Sequence, residues 1–144
     1  MWIELIEEYC NSCKFAAPAN STDIEVVEEA LGTLLHSDLK TALLESNGVL
    51  DEYGLEPLWE TKKIKSKNIE FRKKVEYQDL YMPFDNLLFF ADAGNGDHFA
   101  YPIQNEKINR SDIFIWNHED DSRTWVSPSL RKYFEWWLNG QLGV

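Results

Sequence analysis

A continuous apolar run in the second half of the chain constrains the fold more than any other feature. Residues 87–91 read Leu-Leu-Phe-Phe-Ala. The run is short enough for a strand and predicts one that is buried on both faces. The hexapeptide 92–97, with two glycines, predicts a tight turn, and residues 98–103 predict the return strand of a β-hairpin. The chain must therefore supply other elements that cover this hairpin.

Helices and further strands are predicted on both sides of the hairpin. Apolar residues at spacings of three and four predict helices over residues 2–13, 22–34, 38–47, 60–75 and 128–138. Short strands are predicted over residues 53–59, 112–116 and 123–126, the first confined to a sheet edge by Pro57. This order predicts an α+β fold: an antiparallel meander of about four to five strands with helices packed against it. Residues 1–144 form a single domain, since no linker or repeat interrupts them.

Several element boundaries are predicted from local motifs. The Thr22 hydroxyl and the Glu25 carboxylate predict a capping box at the second helix. The buried stripe of that helix is expected to include Leu34, and that of the helix over 60–75 to include Val75. Pro128 is expected at the first position of the last helix.

The composition excludes disorder and a membrane span. Apolar residues make up 44% of the 144 residues, and six Trp add large side chains for a core. No apolar run reaches the roughly 18 residues that a spanning helix needs. The N-terminal residues 1–8 are acidic, where a signal peptide would be basic. We therefore expect a soluble, cytoplasmic protein with no membrane partner.

The charge is strongly negative and unevenly distributed. The formal net charge is −11, yet residues 62–74 hold seven basic side chains against one acidic one, a net of +6. The rest of the chain holds seven basic residues against 24 acidic ones, a net of −17. Such a chain repels nucleic acid and attracts basic partners. The basic segment itself is interpreted as a solvated helix face, with a phosphate-binding patch as the alternative.

Cys10 and Cys13 have the spacing of a redox pair or of half a zinc site. Both lie on or beside the apolar stripe of the first predicted helix, near its end, whereas thioredoxin-type chemistry needs the motif at a helix start. We therefore predict two buried structural thiols.

Two loops carry the candidate contact residues. The turn 92–97 lacks the alternating carboxylates of a calcium loop, so its glycines are attributed to hairpin geometry. The loop 117–122 holds the densest acidic cluster, and it is interpreted as a contact surface for a basic partner with neighbouring aromatic side chains. Metal binding by His118 with Glu119 or Asp121 is the alternative. The residues predicted to contact a partner are Asp92, Asp97, His118, Glu119, Asp120, Asp121 and Trp125.

Three segments resemble the SMI1/KNR4 family, also called the SUKH superfamily. Residues 35–48 are similar to the family's helix ending in Asn-Gly, with His36 where proline is usual. Residues 88–101 are similar to its hydrophobic strand, Gly-Asp turn and return strand. Residues 115–121 are similar to its strand that ends in Trp before an acidic loop.

The resemblance implies a single α+β domain and, for the bacterial members, an immunity protein of a polymorphic toxin system. Such proteins bind and neutralise a cognate toxin, often a nuclease, whereas fungal relatives are regulators linked to cell-wall synthesis and signalling. The family has no established catalytic residues. No nucleophile elbow, phosphate loop or dinucleotide fingerprint occurs in the sequence either.

The sequence therefore supports a non-catalytic antitoxin without a cofactor, which binds a basic toxin, by expectation a nuclease, and no nucleic acid itself. A nuclease presents a basic cleft to its substrate, and an acidic domain can block that cleft. Two alternatives stay open. One is a regulatory or scaffolding module that binds a protein through residues 62–74, and the other is a small metal-dependent hydrolase that uses His98, His118 and neighbouring carboxylates.

Overall fold

A four-stranded antiparallel sheet forms the centre of the molecule. The computed structural model describes residues 1–142. Over this range the strands are β1 (Lys14–Phe15), β2 (Val49–Leu50), β3 (Leu87–Asp92), β4 (His98–Pro102), β5 (Ile113–Trp116) and β6 (Arg123–Ser127). The central sheet has the strand order β3-β4-β5-β6, and β1 pairs with β2 in a separate ribbon. The predicted hairpin and meander are confirmed.

Six helices surround the sheet within the described residues. They are α1 (Trp2–Tyr9), α2 (Ser21–Leu31), α3 (Ser37–Glu45), α4 (Thr61–Lys73), α5 (Val75–Leu80) and α6 (Leu130–Leu138). None of these helices is long and apolar enough to cross a membrane. The α+β class is confirmed.

Helices cover both faces of the sheet. On one face, the Phe71 ring of α4 lies 4.8 Å from the ring of Phe89. On the other face, the Tyr133 ring of α6 lies 5.2 Å from Phe90 and 4.8 Å from Phe99. Because adjacent strand residues point to opposite faces, Phe89 and Phe90 belong to two different packing layers. All five residues of the apolar run 87–91 are buried, as predicted.

Two polar side chains of α4 hydrogen-bond the outer edge of β3. The Asn68 amide donates to the carbonyl of Phe89 at 2.9 Å and accepts from its backbone N–H at 2.8 Å. One turn later, the Arg72 guanidinium donates to the carbonyl of Leu87 at 3.2 Å. These bonds satisfy an edge that would otherwise be free to pair with another chain.

The strand predicted over residues 53–59 does not form. Asp51 instead accepts hydrogen bonds from the backbone amides of Tyr53 and Leu55 at 2.8 and 2.9 Å, which closes a turn. Gly54 supplies the positive φ of 82° in this turn. Leu58 pairs with Val49 in a single bridge, and the Trp59 backbone N–H donates to the carbonyl of Phe90 in β3 at 2.9 Å.

Several predicted boundaries are also wrong. The capping box at α2 joins Asn20 and Asp23, two residues before the predicted pair Thr22 and Glu25. The helix then ends at Gly32, which has a left-handed conformation, and Leu34 beyond it is exposed. Two further residues were placed incorrectly: Val75 is exposed because it begins α5, and Pro128 precedes the N-cap Ser129 instead of following it.

The prediction of two buried thiols is wrong as well. Helix α1 ends at Tyr9, so Cys10 and Cys13 lie in the turn before β1 and leave the helical stripe. Their Cα atoms are 5.6 Å apart, within the range for a disulfide, and the two sulfurs are bonded. Both side chains are half-buried.

Replacing both cysteines with serine should lower the free energy of unfolding by about 2 kcal/mol. The disulfide stabilises the protein by restricting the unfolded chain, and the effect is small because the bridge closes a loop of only four residues. Urea unfolding of the oxidised protein and of Cys10→Ser/Cys13→Ser measures this difference. Wild-type protein unfolded with a reductant is the control and should match the variant. Identical stability of the oxidised protein and the variant would contradict the prediction.

Candidate functional site

The two predicted contact loops meet at one end of the sheet. Because His98 pairs with Trp116, the turn 92–97 and the loop 117–122 leave the sheet at the same end. The Asp97 carboxylate accepts from the backbone amide of His118 at 3.1 Å and lies 2.6 Å from its ring Nδ1. The two loops are therefore joined by a side-chain contact as well as by a hydrogen bond to the backbone.

Gly96 allows the two loops to approach each other closely. Its φ is 101°, a conformation that side chains rarely adopt, and a Cβ atom at this position would lie 2.8 Å from the His118 ring. The glycine in the turn is therefore required both by its backbone conformation and by the histidine of the second loop.

Asp121 holds the acidic loop onto the body of the protein. Its carboxylate accepts from the Trp116 indole at 2.7 Å, from the Met82 amide at 2.8 Å and from the Arg123 guanidinium at 3.1 Å. Burial alone would raise the pKa of Asp121, but these three donors outweigh it and the pKa is lowered. Asp121 is therefore a structural residue of the loop.

Asp92 is also engaged within the chain. One carboxylate oxygen accepts from the indole of the buried Trp59 at 3.0 Å, and the other accepts from the Gly94 amide at 3.0 Å. Of the five predicted acidic contact residues, Glu119 and Asp120 are the two whose side chains are exposed. A hydrogen bond from Ser122 lowers the pKa of Asp120, so this residue keeps its charge at neutral pH.

Trp125 lies farther along β6 and is 48% exposed. Its indole donates to Asp112 at 2.8 Å, and Asp112 in turn pairs with Arg110 at 2.7 Å. Those two donors lower the pKa of Asp112. The ring is therefore oriented by the chain while about half of it faces outward, which suits a contact residue.

Two exposed apolar residues next to the acidic loop were missed by the sequence analysis. Leu80 and Met82 are 69% and 60% exposed. Their segment is held against the loop because the Tyr81 hydroxyl donates to the His118 carbonyl at 2.9 Å, in addition to the Met82 bond to Asp121. No periodic pattern marks residues 80–83 in the sequence. We define the acidic-loop surface as Leu80, Met82, Glu119 and Asp120.

The two histidines of the metal hypothesis make different contacts. The His98 ring packs among Trp59, Phe71 and Trp116, and burial lowers its pKa. His118 lies on the loop with Asp97. In the part of the chain that the structure describes, no group of three His, Cys, Asp or Glu side chains is placed to hold a metal ion.

Comparison with known proteins identifies one family. The family described as SMI1-KNR4 cell-wall matches residues 21–134, which extend from the start of α2 into α6 and include both contact loops. A search of curated proteins found no match.

Proposed function

This chain belongs to the SMI1/KNR4 family, and we propose that it is an immunity protein that neutralises a basic protein toxin by binding it. Domains of this family are commonly immunity proteins and are generally non-catalytic. The proposal places the protein in the toxin-producing cell and gives it no chemistry of its own. The observation that carries it is the acidic-loop surface, in which a loop with two exposed carboxylates is hydrogen-bonded to a segment with two exposed apolar side chains.

The charge distribution supports a nuclease as the toxin. A nuclease must bind phosphates with a basic cleft. A protein with a net charge of −17 outside residues 62–74 is attracted to that cleft over long range. Leu80 and Met82 would supply the apolar contact that charge alone does not give, with Glu119 and Asp120 at the rim. Occupation of the cleft would then exclude the nucleic acid substrate.

Reversing the two exposed loop charges should slow association with the toxin. For Glu119→Lys/Asp120→Lys we expect an on-rate about tenfold lower at low salt, with a smaller difference at high salt, because steering is screened. The proposal expects a toxin gene beside this one, and stopped-flow binding to the domain of that toxin measures the rate. Asp121 is left unchanged because its substitution would release the loop.

The matched control is Glu7→Lys/Glu8→Lys on α1, which makes the same change in net charge on exposed residues elsewhere. An equal loss of on-rate in both variants would mean that only net charge matters. An unchanged on-rate in the loop variant would reject this surface.

A further inference from the structure

The seven basic residues of the segment 62–74 divide into two groups. Four have partners within the chain: Lys63 pairs with Glu56 at 2.6 Å, Lys67 pairs with Glu70 at 3.4 Å, Arg72 donates to two backbone carbonyls, and the Lys74 ammonium lies 4.9 Å from the Tyr77 ring centre. Within residues 1–142, Lys62, Lys65 and Lys73 have no ion-pair partner. Lys62 and Lys65 lie in the first two turns of α4, whereas Lys73 is its last residue.

Lys62 and Lys65 stand at a groove between α2 and α4. The groove has a volume of about 620 Å³ and is lined by Asp23, Val26 and Val27 of α2 and by Thr61, Lys62, Lys65, Ser66 and Ile69 of α4. Positions 62, 65, 66 and 69 follow the spacing of one helix face, as do positions 23, 26 and 27. Val26 is 45% exposed and Ile69 is half-buried, so these two apolar side chains can contact a ligand, whereas Val27 is buried.

We infer that this groove binds an acidic, apolar peptide segment of another protein. An apolar side chain of the segment would lie against Val26 and Ile69, and carboxylates on its flanks would pair with Lys62 and Lys65. Asp23 forms no ion pair with either lysine in residues 1–142; its carboxylate instead accepts from the Asn20 backbone N–H at 3.0 Å in the capping box. The volume fits a few side chains rather than a whole domain.

Other anionic partners fit the groove less well. A nucleic acid has no aliphatic side chain that could pack against Val26 and Ile69. The net charge of −17 on the rest of the chain also repels an extended polyanion. A lipid surface is broad, so it cannot reach the floor of a concave groove between two helices. A short peptide that combines carboxylates with one or two apolar residues satisfies both features.

The test is a selection of random 12-residue displayed peptides on the immobilised wild-type protein. We expect the enriched peptides to combine Asp or Glu with Leu, Ile or Phe. The affinity of the best peptide, measured by fluorescence anisotropy, should fall at least about tenfold for Lys62→Glu/Lys65→Glu and for Val26→Asp, because each variant removes one element of the site. The control Lys14→Glu/Lys73→Glu makes the same charge change on exposed residues outside the groove and should bind within about twofold of wild type.

Several outcomes would overturn the inference. These are a failure to enrich peptides, enrichment of basic or neutral peptides, and equal binding by the groove variants, with circular dichroism showing that all variants are folded. Phosphatidylserine vesicles and a single-stranded RNA are tested in parallel. Binding of either one that depends on Lys62 and Lys65 would assign the groove to a membrane or to RNA. Self-association that is lost in Lys62→Glu/Lys65→Glu would assign the groove to a second copy of this chain.

The toxin experiment uses different residues from the peptide experiment. The proposed function and the inference about the groove can therefore fail independently.

Discussion

Replacing Asn68 with alanine should lower the free energy of unfolding by about 3–5 kcal/mol, because two buried backbone groups lose their partners. The Asn68 side chain is fully buried and makes three hydrogen bonds, two with the backbone of Phe89 and one to the carbonyl of Ile64 at 2.7 Å. Without it, the N–H and C=O of Phe89 lose the side-chain partner that they have in the folded protein. The loss would be a large fraction of the 5–15 kcal/mol typical of a whole domain.

Urea unfolding at neutral pH measures this loss as a lower midpoint with an unchanged slope. The matched control is Asn109→Ala, which removes an exposed asparagine and should change stability by less than about 0.5 kcal/mol. A loss below about 1 kcal/mol for Asn68→Ala would mean that water replaces the amide and that α4 does not protect the sheet edge.

Asn68 is a buried residue whose position could not be predicted from the sequence pattern. Ile64 and Phe71 lie seven residues apart on one face of the helix predicted over 60–75, and both are buried. Nothing in the spacing distinguishes Asn68 or Arg72 from the solvated residues around them. Their inward orientation depends on the free edge of β3, about 20 residues away in sequence.

Local signals predicted most of the architecture. The hairpin and α6 follow from apolar periodicity and turn residues that lie within each segment, so they can be predicted without knowledge of distant contacts. The strand over residues 53–59 was predicted wrongly because the side chain of Asp51, which precedes the segment, closes it into a turn. The disulfide was missed because the predicted α1 extended four residues too far.

The candidate site was predictable only in part. Sequence reasoning located both acidic loops, but it could not separate Glu119 and Asp120, which are exposed, from Asp121, which is bound from three sides. That difference arises from Met82 and Arg123, which lie on other segments. The apolar part of the surface was missed for the same reason, since Met82 reaches the loop through a contact across 39 residues of sequence.

Asp121 should make the stability of the protein depend on pH in the acid range. Its pKa is lowered in the folded protein, below the value of about 3.9 for an unfolded chain. A carboxyl group of this kind stabilises the fold fully above its unfolded pKa, and the contribution is lost as the pH falls through the lower folded pKa. The free energy of unfolding should therefore exceed that of Asp121→Asn at pH 7, and the difference should shrink below about pH 4.

Asn is the informative substitution because it keeps an acceptor oxygen and tolerates the φ of 61° at this position. Asp121→Ala removes the acceptor for Trp116, Met82 and Arg123, and it should cost about 3–4 kcal/mol at neutral pH because Arg123 is left as a largely buried charge without its carboxylate. Unfolding curves for the three proteins between pH 2.5 and pH 7, a range that brackets the reference pKa of about 3.9, measure both effects. A difference between wild type and Asp121→Asn that stays constant over this range would show that the carboxylate charge does not hold the loop. The three hydrogen bonds would then act as neutral contacts, and the acidic-loop surface would keep its shape in acid.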